Sequence, residues 1–315
     1  HTEYDKFCST FPFVETDDQL NSINDVINDF EKDTPSDRLI VGDVAFGKTE
    51  VIIRALFLAA KSKVQSIVFV PTTLLCRQHF NNFQARFGGY PIKIEQLSRL
   101  VKAKDAAKVR DGIEQGSIDI VIGTHALLAS KIKFSDIGLV IIDEEQHFGV
   151  VHKEKLKKIK SEVHVLTLTA TPIPRTLQLA LSGARELSII ASPPADRYTI
   201  RTYVSQFDGL TIKDALMREY FRGGQSFFIV PRISDIEGVI TFLKENVSDL
   251  KVFAAHGKMS SIQLDKTMSE FYDRHYDILV ATSIVESGLD IPSVNTLIVY
   301  KAEMFGLAQL YQIRG

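Results

Sequence analysis

Leu39-Ile40-Val41-Gly42-Asp43-Val44-Ala45-Phe46-Gly47-Lys48-Thr49 decides the fold. A short apolar run leads into a loop whose Gly42, Gly47, Lys48 and Thr49 have phosphate-loop spacing, and a helix-compatible run from Glu50 to Ala60 follows. In such a loop, backbone N–H groups cradle the α- and β-phosphates of ATP. The Lys48 ammonium reaches the β- and γ-phosphates, and the Thr49 hydroxyl is a ligand for Mg2+. The helix N-terminus adds positive dipole to the same place. The spacing alone recurs by chance; strand before and helix after turn it into a nucleotide site.

A second stretch supplies the opposing acids. Gly138-Leu139-Val140-Ile141-Ile142 is a continuous, β-branched run, the pattern of a strand buried on both faces of a parallel sheet, and it ends in Asp143-Glu144-Glu145-Gln146. Acids at the carboxyl end of such a strand stand where ligands bind in open α/β sheets. Asp143 is expected to hold Mg2+ through water, and Glu144 to orient and deprotonate an attacking water, which points to ATP hydrolysis.

Composition sets the outer bounds. A chain of 315 residues with 45% apolar content has room for two lobes. Its formal net charge of −2 gives no global basic field, so any polynucleotide site is a local stripe. Only Cys8 and Cys76 occur, without Cys/His metal spacing, which fits a reducing cytoplasm and excludes a disulfide framework or structural zinc. No apolar run approaches the ~18–20 residues that span a bilayer.

Strand-like and helix-like runs alternate. Expected strands are 66–70, 92–97, 118–123, 139–142 and 163–169, with helices over 74–87, 102–115 and 174–182. This rhythm implies a mostly parallel sheet with right-handed crossovers. Ser192-Pro193-Pro194-Ala195-Asp196 breaks it like a linker, which places a first lobe at 1–193 and a second at 194–315. Strands are then expected at 201–204, 226–230, 252–255, 278–281 and 296–300, with helices ending at Phe221, Asn246 and Tyr272. The second lobe has no phosphate loop.

The ordered motifs resemble those of superfamily 2 helicase-type motors. The resemblance implies two RecA-like lobes, each a mostly parallel sheet flanked by helices, with an ATP cleft between them. Gln19, in Phe11-Pro12-Phe13-Val14-Glu15-Thr16-Asp17-Asp18-Gln19, would read the adenine edge while Phe13 packs on the base. Pro71-Thr72-Thr73 and Gly123-Thr124-His125 resemble motifs that grip the DNA backbone, and Thr169-Ala170-Thr171-Pro172 the motif that couples the lobes. His256-Gly257 and the run from Ala281 through Thr282 to Asp290 resemble second-lobe contacts. The implied nucleotide set is Phe13, Gln19, Gly42, Gly47, Lys48, Thr49, Glu50, Asp290 and Gln312. The implied catalytic set is Lys48, Asp143, Glu144 and Gln146, with Thr49 and Asp143 on Mg2+. The implied DNA set is Thr72, Thr73, Thr124, His125, His256, Gly257 and Thr282.

Thr171 to Thr176, read Thr-Pro-Ile-Pro-Arg-Thr, is similar to two subfamilies: the branch-migrating helicases of recombination repair and the bacterial transcription-repair coupling factors. Phe46, Thr49-Glu50-Val51, Leu97-Ser98-Arg99 and 148–154 look more like the second. That likeness implies a double-stranded DNA translocase acting on stalled RNA polymerase and handing lesions to excision-repair proteins, in the cytoplasm, through modules outside this chain. Three departures stand out. Ala45 replaces a usual glycine and is expected at negative φ. Gln146-His147 replaces the usual His-Arg. The chain stops at Gly315 inside the last motif, before its arginines, so this piece is expected to bind ATP and hydrolyse it poorly.

Other readings use the same residues. A small-molecule phosphotransferase also carries a phosphate loop but has no need of the second lobe, and a non-catalytic nucleotide-gated DNA-binding module is a third reading. The lysines of 153–160 are read as a solvated helix face, and His125, His147, His152 and His164 match no metal spacing.

Overall fold

The computed structural model describes the chain except residues 1, 44, 125–126, 128–131, 145–161, 171–184, 195–199, 283–289 and 315, and the side chains of 308, 311, 312 and 314. The expected helix over 174–182, the lysine run of 153–160, and Gln146 and His125 fall outside the described residues. The chain divides into two compact units, His1–Tyr198 and Thr199–Gly315.

The first unit is built on seven described strands: β1 (Asp37–Gly42), β2 (Gln65–Phe69), β3 (Ile94–Leu97), β4 (Ile120–Gly123), β5 (Ile137–Asp143), β6 (His164–Thr169) and β7 (Glu186–Ile190). They pair in parallel in the order β3-β4-β2-β5-β6-β1-β7. Val140, Ile141 and Ile142 are fully buried, as a run covered on both faces must be. The helices are α1 (Glu3–Cys8), α2 (Asp17–Phe30), α3 (Lys48–Lys61), α4 (Thr73–Phe87) and α5 (Ala103–Glu114). Thr16 and Gln19 close a capping box at the start of α2, and Thr72 caps α4. The strand β7, paired with β1 in register, lies in the part of the chain where the sequence reading placed no element.

The second unit has four described strands, β8 (Gln225–Ile229), β9 (Val252–Ala255), β10 (Ile278–Ala281) and β11 (Val294–Val299), parallel and ordered β11-β8-β10-β9. Its helices are α6 (Gly209–Phe221), α7 (Ile233–Asn246), α8 (Ser261–Tyr272) and α9 (Leu307–Arg314). Phe228, Val230, Leu243, Ile278 and Val280 form its centre. Residues 201–204 are not a strand, contrary to expectation: they pair with no described strand, and Tyr203 and Val204 are 84% and 95% exposed. No described helix is long and apolar enough to cross a membrane.

The two units repeat one junction. In the first, the buried Gln65 donates from Nε2 to the carbonyls of Ile113 (3.0 Å) and Ile118 (2.9 Å) and accepts at Oε1 from Ser135 and Asp136 N–H (2.9 and 3.1 Å). In the second, Gln225 donates to the carbonyls of Phe271 (2.8 Å) and Tyr276 (2.6 Å) and accepts from the Ser293 hydroxyl (2.5 Å). Asp119 and Asp277 accept from Lys93 and Lys251 N–H, each at 2.7 Å. The strand order β3-β4-β2-β5 thus has its counterpart in β9-β10-β8-β11.

Candidate active site

The loop between β1 and α3 is shaped for an anion. Gly47 caps α3 at φ +79°, a left-handed conformation that favours glycine, and no side chain caps the helix. A Cβ there would lie 2.1 Å from Gln19 Nε2. The first-turn N–H groups of α3 thus lack a side-chain cap, as a phosphate cradle requires. The Lys48 ammonium donates to the carbonyls of Gly42 and Asp43 (3.0 Å to the latter). Burial pulls that ammonium below the usual lysine range, against the opposing fields of Glu144, Asp143 and Asp43. The structure thereby brings Lys48 and the two acids together. Ala45 departs from expectation: its φ is +62°, not negative. The turn back to Gly47 imposes the left-handed conformation on a residue with a Cβ.

On the expected base side, Gln19 is 2% exposed. Its Oε1 accepts from Thr16 N–H (3.0 Å) and its Nε2 donates to the Phe46 carbonyl (2.8 Å), so it joins α2 to the phosphate loop. Phe13 is exposed, edge-on to Phe11 with centroids 5.6 Å apart. Glu50 lies behind the loop on α3. It is buried, and its Oε1 accepts from Arg54 (2.8 Å) and Arg86 (3.0 Å), while Arg54 also reaches Glu15. Two guanidinium groups engage that carboxylate, which makes it a brace between α3 and α4.

Asp143 ends β5, and its Oδ2 lies 3.3 Å from His79 Nε2 on α4. Glu144 is 3% exposed at φ +52°; its Oε1 accepts from Ala170 N–H (2.9 Å) and its own N–H donates to the Leu168 carbonyl (3.0 Å). The carboxylate therefore meets the end of β6, where the expected coupling motif begins. A non-glycine residue held left-handed beside the loop is the kind of strain found at functional sites. Thr49 and Asp143 offer hard oxygens, and no cluster of three or more acidic, histidine or cysteine side chains suited to a metal occurs among the described residues. That donor set fits Mg2+, which takes one or two protein oxygens and otherwise uses water and phosphate.

Four of the residues expected to face DNA have a different property. Thr73, Thr124 and Thr282 are buried, and their hydroxyls, like His256 Nδ1, have no hydrogen-bond partner among the described residues. Unmet buried polar groups of this kind cost about 1–3 kcal/mol each, so they call for an explanation beyond packing. The Thr72 hydroxyl accepts from Leu75 N–H (3.2 Å). Gly257 lies in the turn after β9, Asp290 is exposed before β11, and Gln312 falls on α9 with its side chain outside the described residues. Sequence reasoning missed His79, the Phe46 carbonyl and the brace around Glu50. Of these only Glu50-Arg54, four apart on one helix, left a readable signal.

Similarity to known proteins agrees with this geometry. Residues 16–180 match the DEAD/DEAH box helicase family model, and residues 211–315 match that of the helicase conserved C-terminal domain. The chain is 56% identical over 317 residues to the transcription-repair-coupling factor of Rickettsia bellii, covering 99% of this chain and 28% of that protein. To the same-named factors of Escherichia coli and Bacillus subtilis it is 47% and 49% identical, covering 99% and 100% of this chain and 27% of each. The chain thus spans under a third of these relatives' length. The structure of RecG bound to a three-way DNA junction superposes with a TM-score of 0.85 at 33% identity, over 98% of this chain and 42% of that one. Mss116p bound to ssRNA and AMP-PNP matches at TM-score 0.66 and 17% identity, over 99% of this chain and 69% of that one, and shows the fold alone.

Proposed function

The chain belongs to the DEAD/DEAH box helicase family, and from that membership and its site geometry we propose that it is the ATP-hydrolysing motor core of a double-stranded DNA translocase acting in transcription-coupled repair. One observation carries the reading: the half-buried Lys48 ammonium, held on the Gly42 and Asp43 carbonyls, stands at the start of an uncapped helix in the field of Glu144 and Asp143. Lys48 and the loop amides bind the triphosphate. Glu144, fixed by Ala170 N–H, orients the attacking water and takes its proton. Thr49 and Asp143 are the oxygens that would hold Mg2+, which when bound neutralises charge on the β- and γ-phosphates. Gln19 carries base recognition to the loop through Phe46.

The unmet hydroxyls of Thr73, Thr124 and Thr282 support contact with a phosphate backbone, binding that is weakly sequence-dependent and falls steeply with salt. Identity of 47–56% to coupling factors, against 33% to the junction-bound RecG, favours transcription-coupled repair over branch migration. RNA polymerase and excision-repair proteins are the partners this reading implies.

The test is nucleotide binding and duplex-stimulated ATPase in the full-length protein. Lys48→Ala should weaken ATP binding by about 10- to 100-fold, the worth of a charge-assisted phosphate contact. Glu144→Gln should keep ATP affinity within about twofold and lower turnover by about 10²-fold or more. Equal ATP affinity in wild type and Lys48→Ala contradicts the assignment, as does an ATPase indifferent to DNA.

A further inference from the structure

We propose that His79 is a positioning residue for Asp143, fixing the metal-side carboxylate from the helix that begins at the DNA-facing threonines; the proposal rests on the nucleotide-site reading above. His79 stands in the middle of α4, 8% exposed, with its ring 5.4 Å from that of Phe83. A histidine so enclosed has few orientations available. Its Nε2 meets Asp143 Oδ2 at 3.3 Å, and among the described residues it is the hydrogen-bonding partner of that carboxylate. Asp143 acts in turn on the Lys48 ammonium. The carboxylate therefore stands between a ring on α4 and the charge of the phosphate loop.

An aspartate at the end of a strand rotates freely about its side-chain bonds unless something holds one oxygen. A ring nitrogen bonded to Oδ2 leaves Oδ1 as the oxygen to face the nucleotide. Groups that orient a metal-binding carboxylate in this way are worth about 10- to 100-fold in metal affinity. The same helix starts at Thr72, whose hydroxyl caps it, and Thr73, whose hydroxyl is unmet. A shift of α4 on engaging a phosphate backbone would carry the His79 ring, and with it the orientation of Asp143.

Equilibrium binding of a fluorescent ATP analogue, with Mg2+ and with EDTA, separates positioning from packing. It is measured on wild type, His79→Ala, His79→Gln and Asp143→Asn in the full-length protein. Wild type should gain affinity from Mg2+. His79→Ala should lose about 10-fold of that gain while matching wild type within about twofold in EDTA. His79→Gln, whose amide donates from a similar place, should recover most of the loss. The proposal is overturned if His79→Ala keeps the full Mg2+ gain, or if it weakens binding equally with and without Mg2+, the mark of a packing role. Failure of wild type to bind, or an Asp143→Asn variant with an undiminished Mg2+ gain, removes the nucleotide-site reading and this proposal with it.

Discussion

Ala45 holds the left-handed backbone at φ +62° in a loop whose other turning point, Gly47, is a glycine. A Cβ in that region costs about 1–2 kcal/mol, and glycine's greater freedom in the unfolded chain returns part of that. Ala45→Gly is therefore expected to stabilise the first unit by about 0.5–1 kcal/mol, read as a higher urea midpoint. An unchanged or lower midpoint would mean that the loop stores no strain there. At this scale the sequence was legible where chemistry is tied to spacing: Gly47 begins α3, and Lys48 beside it lies in the fields of Asp143 and Glu144. It was illegible where tertiary contact chooses the conformation or the partner. The sign of φ at Ala45 follows from loop closure, and Glu50 is taken by Arg86 from a distant helix.

Among the elements, α2 ties together more of the first unit than its polar sequence suggests. Gln19 at its start holds the phosphate loop, Asp18 accepts from Ala191 and Ser192 N–H beyond β7 (3.0 and 2.8 Å), and Asp29 near its end meets Arg38 of β1. Burial pushes the Asp29 carboxyl up, but hydrogen bonds and charge from Arg38 and Lys32 outweigh it and hold the group below the usual carboxylate range. A depressed carboxylate contributes stability that is complete above its unfolded value, about 3.9, and is lost as pH falls through the folded one. The first unit should therefore lose stability below about pH 4, followed by urea titration across pH. Asp29→Asn should flatten that acid limb and cost about 1–3 kcal/mol at neutral pH, since it removes the fully buried carboxylate on Arg38 and leaves the guanidinium with Asp25 and Glu186 at 3.5 and 3.6 Å. An unaltered acid limb in the variant would assign it to other groups. Long β-branched runs made β2, β4 and β5 legible. The strand β7 was not, because it is short and its place is set by pairing with β1. The β-prone Thr-Tyr-Val of 201–204 misled because such residues form a strand only where a partner edge is available.

For the molecule as a whole, two parallel α/β units were legible from the restart of the strand-helix rhythm, and the shared Gln-Ser at 65–66 and 225–226 was the visible trace of their common junction. Each glutamine is buried and supplies a donor to the Ile118 or Tyr276 carbonyl, so removing either costs about 1–3 kcal/mol in lost hydrogen bonding. Gln65→Leu should lower hydrogen-exchange protection in β4 and leave β10 as in wild type, and Gln225→Leu should do the reverse. Loss of protection in both units from one substitution would show that they unfold as one body.

The repeated glutamine rivets the rear edge of each sheet, where strands begin, and places no demand on the front edge. One copy carries a phosphate loop and paired acids at its front, whereas strands of the other run out there into Pro231-Arg232 and His256-Gly257, so one common frame presents two different chemistries.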